Sequence, residues 1–321
     1  MQAPSWEDAR KAREVVSRAL HRTPLVGSET LSRLTGHRVQ LKLENLQKTG
    51  SFKPRGALNH MAALSPEAKV RGVITISAGN HAQGVAYAAK VLGLSATVVM
   101  PESASPTKAE AARGYGAEVI LHGDVAAAFA KVRELERDRG LHFVHPFDDP
   151  RVVAGQATLG MEIVEDLPDL DAVLVGIGGG GLISGVAWAV KELRPGARVI
   201  GVEPEGADTM HRSRREGKPA RLEKTTTIAD GLAAPFAGEL NFCLVERYVD
   251  ELVRVTDSEI VMAMRLLFER CKTVAEPAGA AALGALLARK ISLNPESRVC
   301  CVISGGNVGA DALASLFSLP A

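Results

Sequence analysis

Residues 49–57 read Thr-Gly-Ser-Phe-Lys-Pro-Arg-Gly-Ala, and this stretch predicts how the rest of the chain is organised. Pro54 suits the first turn of a helix, where its missing N–H has no partner to lose, and Ser51 is a candidate N-cap. Lys53 is therefore expected at a strand-to-helix corner beside the ring of Phe52. A lysine desolvated there loses its proton more readily and can form a Schiff base with a carbonyl compound. Taken alone, the stretch is more typical of a lysine in a surface loop, so the other motifs decide.

Short apolar strands alternate with helices on both sides of a break near residues 146–150. Strands are predicted at 39–43, 72–76, 96–100, 118–121, 142–144, 172–176, 198–203 and 298–304. Helices are predicted at 6–20, 56–64, 82–92, 106–114, 125–140, 155–166, 182–193, 257–271 and 277–289. Apolar strands that alternate with helices form parallel sheets covered on both faces. The sequence predicts an α/β fold of two open, mostly parallel twisted sheets flanked by helices, with a cleft between two units.

Composition excludes several classes of function. The 321 residues carry a net charge of +1, which gives no reason to expect nucleic acid or an anionic membrane as partner. No run approaches the ~18 apolar residues of a membrane span, and residues 1–13 lack the apolar core of a signal peptide. The four cysteines lack zinc-type spacing. We therefore expect all four to be reduced core thiols in a cytoplasmic protein.

Three further loops follow predicted strands, which is where open α/β sheets place their ligands. Residues 77–81 read Ser-Ala-Gly-Asn-His and open a helix, so their backbone N–H groups suit a carboxylate. Residues 178–181 are four glycines, which can form a nest of N–H groups for a phosphate. Residues 304–307 read Ser-Gly-Gly-Asn and bring a hydroxyl to the same edge. An ordinary glycine-rich turn remains open for the first and the third loop.

Together, an imine-forming lysine, a carboxylate loop, a phosphate nest and a hydroxyl match the chemical groups of pyridoxal 5′-phosphate and an amino-acid substrate. The four motifs occur in order over essentially the whole chain. In this, the sequence resembles the fold-type II pyridoxal phosphate enzymes, whose fold is that of the tryptophan synthase β chain. Within them it is similar to the threonine and serine dehydratases and to the related serine racemases.

The resemblance implies a role for each motif residue. Lys53 is the Schiff-base lysine and the catalytic base. The cofactor is held by Phe52, Asn80, Gly178, Gly179, Gly180, Gly181, Leu182, Gly231, Glu276 and Ser304, with Ser304 on the ring nitrogen. The substrate carboxylate is held by Ser77, Gly79, Asn80 and His81. Ala78 fills the place where the racemases carry a serine on the cofactor face opposite the lysine.

The resemblance also implies the organisation and the reaction. Residues 1–52 and 147–321 correspond to a large cofactor domain and residues 53–146 to a small α/β domain, in a homodimer or homotetramer. Only residues 311–321 follow the last glycine loop, so no C-terminal regulatory domain is expected. The expected reaction is dehydration and deamination of L-threonine to 2-oxobutanoate, or of L-serine to pyruvate.

Three alternatives stay open at this point. The chain is also compatible with a serine racemase, with another fold-type II enzyme that replaces the β-substituent, or with a ligand-binding protein on the same fold. An intact Lys53 argues against a pure binder, and Pro-Arg-Gly after it is closer to the dehydratase motif.

A divalent cation is a further expectation from the family. The related enzymes bind one through a Glu, a backbone carbonyl and an Asp that follow a strand. Here Glu203 and the carbonyl of Ala207 match, but Thr209 replaces the carboxylate and Asp208 stands beside it. The loss of one anionic ligand predicts a weak site at most.

Overall fold

A computed structural model describes residues 3–104 and 106–318, and within these ranges the chain forms two sheets flanked by helices. The strands are β1 (Leu25–Gly27), β2 (Arg38–Leu43), β3 (Val73–Ile76), β4 (Ala96–Met100), β5 (Glu118–Leu121), β6 (His142–Phe143), β7 (Ala172–Gly176), β8 (Arg198–Pro204), β9 (Glu251–Val255) and β10 (Arg298–Ile303). One sheet has the order β1-β2-β10-β7-β8-β9 and the other β5-β4-β3-β6. Only the β1–β2 pairing is antiparallel in these sheets. The predicted fold class is confirmed.

The helices cover both sheets. They are α1 (Trp6–Ser17), α2 (Glu29–Thr35), α3 (Lys53–Ala62), α4 (Pro66–Arg71), α5 (Asn80–Leu92), α6 (Pro106–Gly114), α7 (Val125–Arg139), α8 (Pro150–Asp166), α9 (Gly181–Leu193), α10 (Thr209–Glu216), α11 (Glu239–Tyr248), α12 (Asp257–Cys271), α13 (Pro277–Leu287) and α14 (Ala310–Ser318). Short 3₁₀ turns span Glu44–Leu46, Glu205–Ala207 and Asp230–Leu232. In the described ranges, none of these helices is long and apolar enough to span a membrane.

Helix α3, which begins at the central lysine, is packed tightly between α5 and α8. A Cβ built on Gly84 of α5 would lie 3.1 Å from the Cβ of Lys53, and one built on Gly155 of α8 would lie 2.7 Å from the Cα of Gly56. Only glycine lets the helix backbones approach so closely, and the close contacts fix the start of α3 on two sides.

Helix α1 lies against the helices of the six-stranded sheet. The rings of Trp6 and Trp188 meet edge to face with centroids 5.5 Å apart. Ala9 packs in the same buried cluster as Val153 and Met161 of α8. The start of the chain is thus packed on α8 and α9.

Strand β10 lies in the middle of the six-stranded sheet, between β2 and β7. Successive strand residues point to opposite faces, so Cys300 packs among the residues of α8 and α9 and Cys301 among those of α12 and α13. Burial raises the pKa of the Cys300 thiol to about 12 and that of Cys301 well above its usual value. Both are inert core thiols, as predicted. Cys271 is only partly buried and Cys243 is exposed, so the prediction of a core position is wrong for Cys243.

The N-cap of α3 differs from the prediction. Phe52 occupies that position, with no side-chain capping bond, and Ser51 lies one residue before it. Ser51 instead forms a β-bridge with Gly305, and its buried hydroxyl has no hydrogen-bond partner. Pairing with the loop after β10 therefore places Ser51 outside capping geometry.

Candidate active site

A cavity of about 610 Å³ lies at the carboxyl ends of β3, β7 and β10, between the two sheets. Its lining includes every residue predicted to bind cofactor or substrate: Phe52, Lys53, Ser77, Ala78, Gly79, Asn80, His81, Gly178, Gly179, Gly180, Gly181, Leu182, Gly231, Glu276 and Ser304. Asn80 of this lining is also hydrogen-bonded to Asn307, which lies 227 positions away in the sequence. The side chains that the four motifs predicted are brought together.

Lys53 is the first residue of α3, and its side chain reaches into the cavity. Its Nζ donates to the carbonyl oxygen of Pro146 over 3.0 Å and lies 5.1 Å from the centroid of the Phe52 ring. Desolvation by burial lowers the pKa of Lys53 to about 8, although the charge of Glu276 acts in the opposite direction. At pH 7 roughly a tenth of this lysine is the free amine, far more than for an ordinary lysine, and the free amine is the form that acts as a nucleophile or base.

A polar network connects three loops at one wall of the cavity. Asn80 Nδ2 donates to Glu276 Oε1 over 2.6 Å, and Asn307 Nδ2 donates to Asn80 Oδ1 over 2.8 Å. Asn307 Nδ2 also donates to the carbonyl oxygen of Thr49, over 2.8 Å. The start of α5 is therefore tied to the loops before α3 and α13.

The four glycines form a tight turn from β7 into α9. Gly180 adopts a left-handed conformation with φ of 98°, and α9 begins at the next residue. Asn241 Nδ2 donates to the carbonyl oxygen of Gly179 over 3.0 Å, which holds the turn from behind. The first N–H groups of α9 lack partners within the helix and face the cavity, and the helix dipole favours an anion there.

The segment 145–148, for which the sequence predicted no role in the site, lies between Lys53 and the four glycines. A Cβ on Gly179 would lie 2.5 Å from the ring of Phe147, so this ring packs directly on the glycine turn. The His145 Nδ1 atom accepts hydrogen bonds from the N–H groups of Phe147, over 3.2 Å, and of Asp148, over 2.8 Å. Burial lowers the pKa of His145 to about 4, so the ring stays a neutral acceptor. The sequence predicted a boundary near residues 146–150, but it did not predict the contact between Phe147 and the glycine turn.

The side chains of Ser77 and His81, in the loop at 77–81, are engaged in hydrogen bonds within the protein. Ser77 Oγ accepts from the N–H of Gly79 over 3.1 Å. The Nε2 of His81 lies 3.1 Å from the carbonyl oxygen of Val144, so this nitrogen carries the proton and donates. Burial lowers the pKa of His81 well below its usual value. The imidazole is a neutral group bonded to the residue that directly follows β6.

Ser304 and Gly231 complete the lining. The Ser304 hydroxyl donates to the carbonyl oxygen of Ala278 over 3.4 Å, a long bond that leaves it available to another partner. Gly231 lies in the 3₁₀ turn Asp230–Leu232, where a Cβ would come within 2.9 Å of the Ala278 side chain. Small residues thus keep this end of the cavity open.

The predicted cation ligands lie outside this cavity, and their donors do not fit a metal ion. The two carboxylate oxygens of Glu203 accept from the N–H groups of Met210 and His211, each over 2.7 Å, so Glu203 caps the start of α10. Asp208 pairs with Arg212 at 2.7 Å and with Arg254 at 3.3 Å. In residues 3–104 and 106–318, no group of three or more His, Cys, Asp or Glu side chains is arranged to hold a metal.

A family model described as "Pyridoxal-phosphate dependent enzyme" matches residues 16–305. An L-threonine ammonia-lyase of Thermotoga maritima is 48% identical over 303 residues, which cover 94% of this chain and 75% of that protein. The crystal structure of a threonine deaminase from T.th. is 44% identical with a TM-score of 0.90, covering 95% of this chain and 99% of the other.

A serine racemase is also among the structural neighbours. The maize enzyme is 37% identical with a TM-score of 0.94, covering 98% of this chain and 97% of the other. Both the match of the family model and the identity to these relatives extend over most of the chain. This chain belongs to the family of pyridoxal-phosphate dependent enzymes.

Proposed function

We propose that this protein is an ammonia-lyase that dehydrates and deaminates L-threonine to 2-oxobutanoate, and L-serine to pyruvate. The observation that carries the proposal is the placement of a desolvated Lys53 in the same cavity as the four-glycine turn. The names and identities of the relatives support threonine as the substrate.

The residues around the cavity fit pyridoxal phosphate. The N–H groups at the start of α9 suit its phosphate, the amine of Lys53 suits its aldehyde, and the hydroxyl of Ser304 suits its ring nitrogen. Gln156 also lines this cavity, and its buried Oε1 has no hydrogen-bond partner among the residues that the structure describes. Such an atom is expected where a bound molecule supplies the missing partner.

Each group of the chain then has a separate task. The cofactor, when bound, draws electrons from the substrate and so acidifies its Cα–H bond. Lys53, as the free amine, takes the Cα proton, and the carbonyl of Pro146 orients that amine. The N–H groups at the start of α5 bind the substrate carboxylate, whereas those of Ser77 and Gly79 are already bonded to the Val99 carbonyl and to the Ser77 hydroxyl. The electron pair left by the Cα proton forms the new bond to Cβ as the β-hydroxyl departs, so that the proton and the hydroxyl together amount to one molecule of water.

Serine racemase is the second candidate, supported by the similarity to the maize enzyme. Racemisation needs a second acid–base group that returns a proton from the face opposite Lys53. In this chain the corresponding position is Ala78, whose methyl group carries no exchangeable proton. We therefore favour the lyase.

We further propose a division into units, an assembly and a location. Residues 53–146 would form a small domain and residues 1–52 with 147–321 a large one, consistent with the two separate sheets. The family resemblance favours a homodimer or homotetramer and a cytoplasmic location.

The function is tested with the purified protein and a panel of substrates. The protein should be yellow, and L-threonine should perturb the visible spectrum and release 2-oxobutanoate. The panel consists of L-threonine, L-serine, D-serine and L-threo-3-hydroxyaspartate. Failure to release a 2-oxo acid from either L-threonine or L-serine would refute the proposal.

A further inference from the structure

Arg55, the third residue of α3, has every one of its donors paired inside the protein. Its side chain is fully buried. Its Nε and Nη2 donate to Glu44 at 2.7 and 2.9 Å, and its Nη1 and Nη2 donate to Glu162 at 2.7 and 3.0 Å. The second Nη1 hydrogen goes to the hydroxyl of Thr158, at 3.1 Å. A guanidinium has five N–H groups in one rigid plane, and all five are used.

The partners of Arg55 belong to the six-stranded sheet and to the helix that covers it. Glu44 directly follows β2, and its Oε1 also accepts from the hydroxyl of Thr23 over 2.5 Å. Glu162 lies on α8 and pairs with the buried Lys42 of β2, whose Nζ is 2.9 Å away. In the buried part of the cluster two cations face two carboxylates, as burial requires, and Lys42 also lies 3.3 Å from Asp166, which pairs with Arg22 at the surface.

We propose that Arg55 is a positioning residue for Lys53. The first turn of a helix has few internal hydrogen bonds and frays easily, and Lys53 is the first residue of α3. The paired guanidinium fixes this turn to the sheet that carries the glycine turn and Ser304. The amine is thereby held at a constant distance from the phosphate nest. This inference rests on the proposed role of Lys53 as the Schiff-base lysine.

The rigid fork of arginine is what the position requires. Lysine would keep the positive charge between Glu44 and Glu162, but a single ammonium cannot bond to both carboxylates in parallel pairs. The turn would then shift while the charge balance stayed the same. Arg55→Lys therefore separates placement from charge.

The test measures imine formation directly. Apoprotein is mixed with pyridoxal phosphate, and the growth of the visible imine band is followed by stopped flow, with no substrate present. Because a displacement of ~1 Å can lower a rate ~100-fold, Arg55→Lys should slow band formation and kcat by about tenfold or more. KM for L-threonine should stay within about twofold, since the loop at 77–81 is unchanged. Thermal melting of the apoprotein reports any loss of fold.

The control is Arg22→Lys. Arg22 pairs with Glu165 and Asp166 at the surface end of the same group of charges. The Arg22→Lys variant should form the imine at the wild-type rate. An equal slowing in both variants would overturn the inference, and so would wild-type rates in folded Arg55→Lys.

If Arg55→Lys does not fold, Thr158→Val decides. This substitution keeps both carboxylates and leaves one Nη1 hydrogen without its acceptor. It should slow imine formation ~threefold, the factor that a weak hydrogen bond supplies. An unchanged rate would overturn the inference. Failure of the wild-type apoprotein to form any imine would instead refute the proposed function, so the two failures are distinguishable.

Discussion

Asn80 donates a 2.6 Å hydrogen bond to Glu276 at the wall of the cavity, and this bond links two helices that start beside the two sheets. Asn80 is the first residue of α5, which follows β3, and Glu276 is the N-cap of α13, which packs on the six-stranded sheet. Burial raises the pKa of Glu276 to about 7, while the bond from Asn80 partly opposes this rise. The carboxyl is thus poised to change charge near neutral pH.

The first prediction concerns the stability of the apoprotein as a function of pH. Folded Glu276 holds its proton up to a pH of about 7, whereas its unfolded pKa is near 4.5. Its contribution to stability is present below pH 4.5 and is lost as the pH rises to 7, by at most ~1.4 kcal/mol per unit. The unfolding free energy of the wild type minus that of Glu276→Gln should therefore fall as the pH rises from 4.5 to 7. Chemical denaturation at several pH values measures it, with the exposed Glu110→Gln as control. A difference that rises over this range would contradict the prediction.

The second prediction concerns Lys53. Lys53→Ala should abolish both the imine absorbance and turnover of L-threonine, because no other amine takes its place in the proposed mechanism. The fold should survive, since the side chain projects into the cavity. Visible spectra, an oxo-acid assay and circular dichroism measure the three properties. Substantial oxo-acid production by the variant would refute the mechanism.

The third prediction separates lyase from racemase. With Ala78 opposite the lysine, L-serine should give pyruvate with little D-serine, and D-serine itself should react negligibly. Ala78→Ser should add measurable racemisation by supplying a hydroxyl on that face. Chiral chromatography after incubation with L-serine tests both proteins. D-serine formed by wild type as fast as pyruvate would favour the racemase.

The fourth prediction concerns the contact between α8 and α3. Gly155→Ala should destabilise the protein by ~1–3 kcal/mol, because the added Cβ would meet the Arg55 carbonyl oxygen and lie 2.7 Å from the Cα of Gly56. Gly196→Ala is the matched control, since its Cβ would meet nothing within 4 Å. Equilibrium denaturation of the two variants gives the comparison. Equal stability of both would show that α8 can move away without cost.

The fifth prediction concerns divalent cations. Treatment with a chelator should leave the activity unchanged, and added magnesium should not raise it. The oxygens of Glu203 are already used by two backbone N–H groups, and Asp208 is paired with two arginines. A steady-state assay before and after dialysis against chelator is sufficient. Activity that is lost and then restored by magnesium would contradict this account.

The motifs at strand ends were predictable because their chemistry is local. A lysine before a proline, a run of four glycines and a serine after a strand each carry their signal in a few residues. The sequence could not predict that Asn241 holds Gly179 from 62 positions away, because that contact arises from packing. It also could not show that Glu203 caps a helix. The family resemblance suggested a cation ligand there, whereas only the fold reveals which N–H groups the carboxylate faces.

The two adjacent free thiols of strand β10 allow local opening of the six-stranded sheet to be measured by chemical labelling. Cys300 and Cys301 are completely buried, Cys271 is partly exposed and Cys243 is exposed. A bulky maleimide can therefore reach Cys300 and Cys301 only after the six-stranded sheet has opened. Their labelling rate, counted by mass spectrometry against that of Cys243, measures how often the centre of that sheet opens in native solution.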